Sequence, residues 1–503
     1  MREEVKHKGI ALLILAGAQF MVVLDATIVN VALPSVAESL KFGSTAQLQW
    51  IVTSYTLLFG GFLLLGGRLS DLIGRRKIFL AGIILFALAS LLAGLAQNPG
   101  QLIAFRGLQG LGAALLSPAA LSLVLSIFAE GKERNRALGV WSGVAAGGGA
   151  VGLLLGGVLT QYVDWRWIFF INVPVAALLI VLAMRNLPKS ARSTEHRSLD
   201  LPGAVLVTAG LMLLVYAFVK ATDYGWASWQ TLGLIGTAVL LLAGFVWNEL
   251  HVKQPLMPLR IFRNRNVAAG NLMQLPITAG MFAVFFYLSL YLQQVLGNSP
   301  VVTGLFNLPF TICIAITATI VSKKVAQISP KRILIFSPLV TAAGLAYFSR
   351  IPVDGNYWTD VLPGIVLMAS GMGATFVALT LAATSGVSHK ESGLVSGLLN
   401  TSQQIGGAIG LAVLTTVSTA RTNASLTAQG FDATDPDIAS IAPNAMNTAM
   451  VQGFHSAFLI AAGLAVLASV IAFVGLKDSK MTADELRREA ETEAETFPVV
   501  PGV

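Results

Sequence analysis

Leu24-Asp25-Ala26-Thr27-Ile28-Val29-Asn30-Val31-Ala32-Leu33-Pro34 closes an apolar run that opens at Ile10. A membrane-spanning helix needs about 20 apolar residues at roughly 1.5 Å each, so the run reads as one span with Asp25 in its second half. Counted from Ile10, Asp25 lies roughly 22 Å along the axis, past the bilayer midplane. A carboxylate at that depth costs a few kcal/mol on insertion scales. It is therefore expected to face a polar cavity that water and a guanidinium can reach, rather than lipid. Two roles stand open: a satisfied carboxylate that ties helices together, or a proton or cation site.

The surrounding chain has 503 residues, 55% hydrophobic and 12% charged, with a mean hydropathy of +0.74. Soluble domains carry about 25% charged residues, so this is an integral membrane protein. Its apolar segments are long rather than short and alternating, which makes it all-α and excludes a barrel. The single cysteine, Cys313, excludes an intrachain disulfide framework and a clustered-cysteine metal site. The basic stretch Met1 to Lys8 mimics a signal peptide, but the apolar run after it is too long, holds Asp25 and lacks a small-residue cleavage site. An uncleaved first helix is expected.

Fourteen apolar spans are legible, near 10–34, 47–67, 78–97, 101–126, 137–162, 167–186, 201–220, 231–251, 267–296, 301–322, 331–349, 360–386, 393–419 and 452–475. The connections are short except 420–451, which is polar and rich in Asn, Asp and Thr. Lys and Arg divide unevenly between the two sets of loops. Of 33 in all, 27 fall on the side of the termini, five (Lys41, Arg166, Lys220, Arg350, Arg421) on the other, and Arg106 inside a span. Positive-inside bias puts both termini in the cytoplasm. The net charge of +8 is thus a topology signal and does not point to nucleic acid.

Glycines 143, 147, 156 and 157 recur at 393, 397, 406 and 407, and the basic stretch 67–77 has a worn counterpart at 322–332. In that counterpart Ala326 stands for Asp71 and Ser329 for Gly74. Two parallel six-helix halves with two helices inserted between them fit these offsets, an arrangement that places a central site between the halves. The expected division is 1–198, an inserted pair 199–265, 266–476, and a charged, acidic-ended tail 477–503.

Gly67-Arg68-Leu69-Ser70-Asp71-Leu72-Ile73-Gly74-Arg75-Arg76-Lys77 joins helices 2 and 3. Its glycines allow a tight turn, and Asp71 can accept from an arginine or a helix N-terminus. Anchoring alone accounts for the basic residues but not for Asp71 or the glycine spacing. Here the chain resembles the major facilitator superfamily, whose signature at this place is Gly-x-Leu-Ala/Ser-Asp-x-x-Gly-Arg-Arg/Lys. The resemblance implies a latch between the two halves, with Gly67, Asp71, Gly74, Arg75 and Arg76 as gating residues.

Arg106 lies in Phe105-Arg106-Gly107-Leu108-Gln109-Gly110-Leu111-Gly112. No strand precedes these glycines, so they form no phosphate loop; in a membrane helix they allow close packing. An intramembrane arginine needs a partner. Arg106 sits roughly 8 Å deep and Asp25 roughly 13 Å from the same face, a gap its side chain can bridge. The segment also resembles the superfamily's Arg-x-x-Gln-Gly motif, which implies that Arg106 lines the cavity and assists proton coupling.

Helix 5 carries Gly152-Leu153-Leu154-Leu155-Gly156-Gly157 where the drug-exporter branch has Gly-Pro-x-x-Gly-Gly. The branch links that motif with antiport. Leu153 replaces the proline, so a straighter helix 5 is expected, and a non-antiport facilitator stays open as an alternative. Asp164-Trp165-Arg166-Trp167-Ile168-Phe169-Phe170-Ile171-Asn172-Val173-Pro174, Tyr291-Leu292-Gln293-Gln294-Val295-Leu296-Gly297 and Ser396-Gly397-Leu398-Leu399-Asn400-Thr401-Ser402-Gln403-Gln404 resemble the fourteen-helix drug/proton antiporter branch. Trp165, Trp167 and Trp229 near helix ends read as interface anchors. Phe282, Phe285, Phe286, Tyr287 and Tyr291 on helix 9 read equally as a wall for flat apolar molecules or as a lipid face. The family's cavity helices imply substrate contacts at Asn30, Gln109, Gln274 and Phe282.

The expectation is a proton-coupled exporter of amphipathic small molecules in a bacterial inner membrane, monomeric, without cofactor or metal. A single deep acid suits about one proton and speaks against a divalent-cation specialist. A dedicated exporter of one antibiotic, lipid precursor or siderophore is the second reading. No His/Cys/Asp cluster has metal-ligand spacing and no nucleotide loop is present, so an enzyme or ATPase is not expected.

Overall fold

A computed structural model describes residues 8–128, 132–188, 200–253, 255–324, 328–384, 389–433 and 438–477, and among them the regular structure is entirely helical. The long helices are α1 Lys8–Leu40, α2 Thr45–Ile73, α3 Arg75–Gly94, α4 Pro99–Ile127 and α5 Lys132–Tyr162. Next come α6 Trp167–Asn186, α7 Leu201–Tyr224, α8 Trp229–His251, α9 Arg265–Leu290 and α10 Pro300–Lys324. The last are α11 Pro330–Phe348, α12 Leu362–Thr384, α13 His389–Ala428 and α14 Pro443–Gly475. Twelve helices among the described residues are long and apolar enough to cross a membrane. The acidic tail from 478 and the Asp71 side chain lie outside the described residues, as do Ala326 and Gln327.

Local chemistry sets several boundaries. Ser44, Asn98, Asp200 and Ser228 cap α2, α4, α7 and α8 by accepting the main-chain N–H group three residues on. Gly74, at φ 116°, separates α2 from α3 in a conformation that side-chain-bearing residues rarely adopt. α6 breaks between Phe170 and Asn172 into a single turn, Trp167–Phe170, and a longer piece, Asn172–Asn186. α9 runs on through a π-helical turn, Tyr291–Val295.

α1 to α6 pack on one another, as do α9 to α14. Glycines make the closest approaches, since small residues let membrane helices touch backbone to backbone. Gly112 of α4 would place a Cβ 2.6 Å from the Phe86 nitrogen of α3, and Gly82 answers 2.6 Å from the Leu116 nitrogen. One pair of the repeated glycines occupies equivalent places: a Cβ on Gly156 would stand 2.6 Å from the Ile28 carbonyl oxygen of α1, and one on Gly406 2.6 Å from that of Leu275 of α9. α7 lies along the seam between α2 and α13. Thr208 donates to the Gly61 carbonyl (3.2 Å) and Thr416 to the Phe218 carbonyl (3.0 Å), around a cluster of Leu57, Leu211, Val215, Ala408 and Ala412. α8 covers the outer side of α7 and leaves Leu240, Trp247 and Leu250 exposed.

Across the two groups, α1, α5 and α9 meet at their C-terminal ends, together with the start of α10. Gln293 Nε2 donates to the Val31 carbonyl at 2.9 Å, and the Val301 amide donates to Gln161 Oε1 at 3.2 Å. A Cβ on Gly157 would stand 2.6 Å from the Pro300 carbonyl oxygen, and one on Gly304 2.5 Å from that of Leu153.

Two expectations need correcting. The polar stretch 420–451 is largely a helical hairpin, because α13 continues to Ala428 and α14 already starts at Pro443. Leu426, Ile438 and Ala449 give it a small core. Its polar composition marks helix that projects beyond the apolar layer rather than loop. The helix 9 aromatics are neither lipid-facing nor open to a cavity as a group: Phe286, Tyr287 and Tyr291 are each 0% exposed. Tyr287 donates to Thr415 (3.0 Å) and packs on Phe454 and Phe458, and Tyr291 donates to the Pro352 carbonyl (2.7 Å). Their hydroxyls find partners inside the second bundle, which lets the rings serve as core.

Candidate functional site

Asp25 of α1 and Arg106 of α4 meet directly. Arg106 Nη1 donates to Asp25 Oδ2 at 2.6 Å. The other carboxylate oxygen, Oδ1, accepts from Gln109 Nε2 at 2.7 Å and Asn172 Nδ2 at 2.9 Å. Gln109 is three residues beyond Arg106, hence on the same face of α4, and its carbonyl accepts from Arg106 Nη1 at 2.8 Å. Ser90 of α3 accepts from both amides at 3.0 Å and itself donates to the Phe169 carbonyl at 2.8 Å. Arg106 Nε reaches the Ile51 carbonyl at 3.3 Å, and the guanidinium lies 4.3 Å above the Tyr55 ring.

Local sequence explains this convergence. Gly110 brings α4 onto the Tyr55 carbonyl of α2, and Gly112 brings it onto Phe86 of α3, so Tyr55 and Ser90 arrive beside Arg106. The break in α6 starts a new helical piece at Asn172 and aims its amide inward. Every carboxylate oxygen thus has a donor, and the donor to Oδ2 is charged, the strongest kind available. A buried ion pair is tolerated when its remaining lone pairs are hydrogen-bonded in this way.

The partner foreseen for Asp25 is present, but the foreseen water access is not. Asp25 is 0% and Arg106 1% exposed. Five helices close over the pair, and side-chain amides supply the hydrogen bonds that cavity water was expected to make. Asn172, Ser90 and Tyr55 complete the network without having been singled out from sequence. Asn172 was legible as an amide inside an apolar span, whereas Ser90 and Tyr55 carry no such mark.

The remaining candidates are spread out. Asn30, 6% exposed, donates to the Ala26 and Thr27 carbonyls of its own helix. Gln109 belongs to the Asp25 network rather than to a substrate wall. Gln274 is 3% exposed, and Phe282 is half-buried with its ring against Gly407. Of these four, only Gln109 bonds to Asp25.

In the gating stretch, Gly67 faces Pro118, Arg75 donates to the Ser122 carbonyl of α4 (3.4 Å), and Arg76 donates to the Met184 carbonyl of α6. Both of these arginine bonds end within the first six helices. Along α5, Gly152 and Gly156 seat the helix on α1 beside Thr27 and Ile28, and Gly157 faces α10. Leu153 is buried and α5 runs without interruption from Lys132 to Tyr162.

Comparison with known proteins agrees with this architecture. The family model described as Major Facilitator Superfamily matches residues 15–411. The puromycin resistance protein pur8 of Streptomyces alboniger is 40% identical over 487 residues, covering 96% of this chain and 94% of its own. The cephamycin export protein CmcT of Amycolatopsis lactamdurans is 41% identical, covering 82% and 86%. Among solved structures, a bacterial homologue of the human lysosomal transporter Spinster, in an inward-facing and occupied conformation, superposes with a TM-score of 0.69 at 17% identity. That match covers 93% of this chain and 97% of the other and speaks for the fold alone. A run of long apolar helices in two packed groups, a matching family model and extensive sequence identity lead to one conclusion: the chain is a multi-pass membrane transporter of the major facilitator superfamily, not an enzyme.

Proposed function

We propose that the protein is a proton-coupled exporter of amphipathic small molecules that works by alternating access. Relatives named for puromycin resistance, cephamycin export, and tetracenomycin C resistance and export support the export reading. The carboxylate–guanidinium pair between α1 and α4 supports the coupling, and it is the observation that carries the proposal. On this reading the chain spans the membrane fourteen times with both termini inside, in line with the Lys/Arg bias. Residues 1–198 and 266–476 are then the two moving bundles, and 199–265 rides between them. The end where Gln293 meets Val31 becomes the outer end, which is closed in this conformation.

The cycle follows from electrostatics. With the outer end sealed, Asp25 is ionised and neutralises Arg106. Opening the outer end admits one proton to Asp25, which removes the charge that holds Arg106. The guanidinium, left with only the Gln109 and Ile51 carbonyls, then carries an uncompensated positive charge and disfavours a cationic substrate, which leaves outward. Return to the sealed state and loss of the proton to the cytoplasm restores the pair. The working unit is a monomer, and its partners are substrate, protons and the bilayer.

Substrate transport into proteoliposomes under an imposed pH gradient tests this, with wild type beside Asp25→Asn. The variant keeps the shape and hydrogen-bonding capacity of the side chain but has no titrating group there. We expect substrate movement to follow the gradient in wild type and to become insensitive to it in Asp25→Asn. Coupled transport by the variant at the wild-type rate refutes the assignment. The puromycin, cephamycin and tetracenomycin relatives are each named for one antibiotic, which favours a dedicated exporter as the second reading. A panel of unrelated drugs separates the two.

A further inference from the structure

Away from the Asp25 pair, a second buried acid lies where α7 and α8 meet the segment leading into the second bundle. Glu249, on the last turn of α8, is 4% exposed, and Asp200, the N-cap of α7, is 2% exposed. Asp200 is fully engaged: it accepts from the Gly203 amide at 2.9 Å and from Asn248 Nδ2 at 2.8 Å on each oxygen. Glu249 Oε2 accepts from the Met257 amide at 2.9 Å. Its Oε1 is buried and receives no donor in regular geometry; Asn248, the residue before it, holds both oxygens of Asp200, and the Glu249 carboxyl has the Asp200 carboxyl and the Leu256 amide as neighbours. A buried carboxylate oxygen without a donor, facing a second carboxylate, is among the costlier arrangements a protein can hold. One proton on Glu249 resolves it, since the acid O–H then donates to Asp200.

We infer that Asp200 and Glu249 form a second proton-binding site, in which one proton shared between the two carboxyls clasps the inserted hairpin to the 256–257 segment. The clasp sits against α2, where Leu65 packs with Ala204 and Leu256. Beside Asp200 on α7, the ionisable groups on the elements around it include Arg68 on α2, His251 on α8, and Lys253, Arg260 and Arg263 on the following segment; the last four are exposed. Asp200 is the group in contact with Glu249. This assignment does not rest on the export reading, because it concerns a proton held in the inserted pair rather than one carried across the membrane.

The full-length protein in nanodiscs provides the test. Infrared spectra at neutral pH should contain a protonated-carboxyl C=O band that vanishes in Glu249→Gln and survives in Asp25→Asn. Glutamine copies the protonated acid, donating to Asp200 and accepting from Met257, so its fold should be retained. At neutral pH Glu249→Gln should melt close to wild type, because it reproduces the hydrogen bonds of the protonated acid. Asp200→Asn supplies an independent check, because its amide donates to an ionised Glu249 and should also abolish the band. An unchanged band in both variants, or a glutamine variant that melts well below wild type at neutral pH, overturns the assignment. Stabilisation of wild type by added Na⁺ or Ca²⁺ at alkaline pH, absent in Glu249→Gln, also overturns it by placing a metal ion where the proton is assigned.

Discussion

Arg106→Ala should destabilise the protein by about 3–5 kcal/mol, a large part of the ~5–15 kcal/mol that holds typical folds. The effect comes less from losing a 2.6 Å bond than from leaving a carboxylate at 0% exposure without its counter-charge. Gln109 and Asn172 would still donate to Asp25 Oδ1, but neutral amides cannot replace the guanidinium. Asp25→Asn should cost less, because Arg106 keeps the Gln109 and Ile51 carbonyls and the face of Tyr55. The double variant Asp25→Asn/Arg106→Ala should then be more stable than Arg106→Ala alone. Thermal melts of all four proteins form a double-mutant cycle that isolates the pairwise coupling. A loss within about 1 kcal/mol for Arg106→Ala would mean that water already reaches the site.

The second large effect concerns the seal between the bundles. A Cβ on Gly304 would sit 2.5 Å from the Leu153 carbonyl oxygen, and one on Gly157 2.6 Å from that of Pro300. Both obstacles are backbone, so no flexible side-chain tip can swing aside. Gly304→Leu should therefore penalise the sealed form by about 1–3 kcal/mol, the usual cost of overpacking. Each ~1.4 kcal/mol shifts a two-state population tenfold, so the opposite conformation should gain roughly ten- to a hundredfold. Asn30→Cys in a Cys313→Ala background reports the change, since position 30 is 6% exposed in the sealed form. An impermeant maleimide should label it faster by that factor when Gly304→Leu is added. Equal labelling rates would show that this contact does not close the pathway.

Much of the candidate site was legible because depth in a membrane is arithmetic. Asp25 and Arg106 could be placed at comparable heights from residue counts, and their meeting follows from the cost of either charge alone. Gln109 was legible too, but as a cavity residue; the i, i+3 spacing sets it beside Arg106, yet its bond to Asp25 depends on which face of α4 points inward, and glycines on several sides of that helix blur the periodicity. The aromatics of α9 misled for a related reason. Tyr287 and Tyr291 look amphipathic in sequence, yet Thr415 and the Pro352 carbonyl lie far off in the chain and become partners only when the second bundle closes. The closure of Asp25 against water was not legible at all, because exposure belongs to one conformation of a moving protein rather than to its sequence.

The position of α7 has a mechanical consequence. Both polar links along its flanks, Thr208 to Gly61 and Thr416 to Phe218, end on helix carbonyls, and such acceptors recur at every turn, about 5.4 Å apart. The neighbours between them are apolar, Leu, Val and Ala at the centre with Trp50, Phe218 and Ile405 around them, and such contacts tolerate sliding better than a charged pairing would. A strip built like this behaves as a gasket on a rail: it can slip along both walls and keep lipid tails out of the gap while the walls tilt.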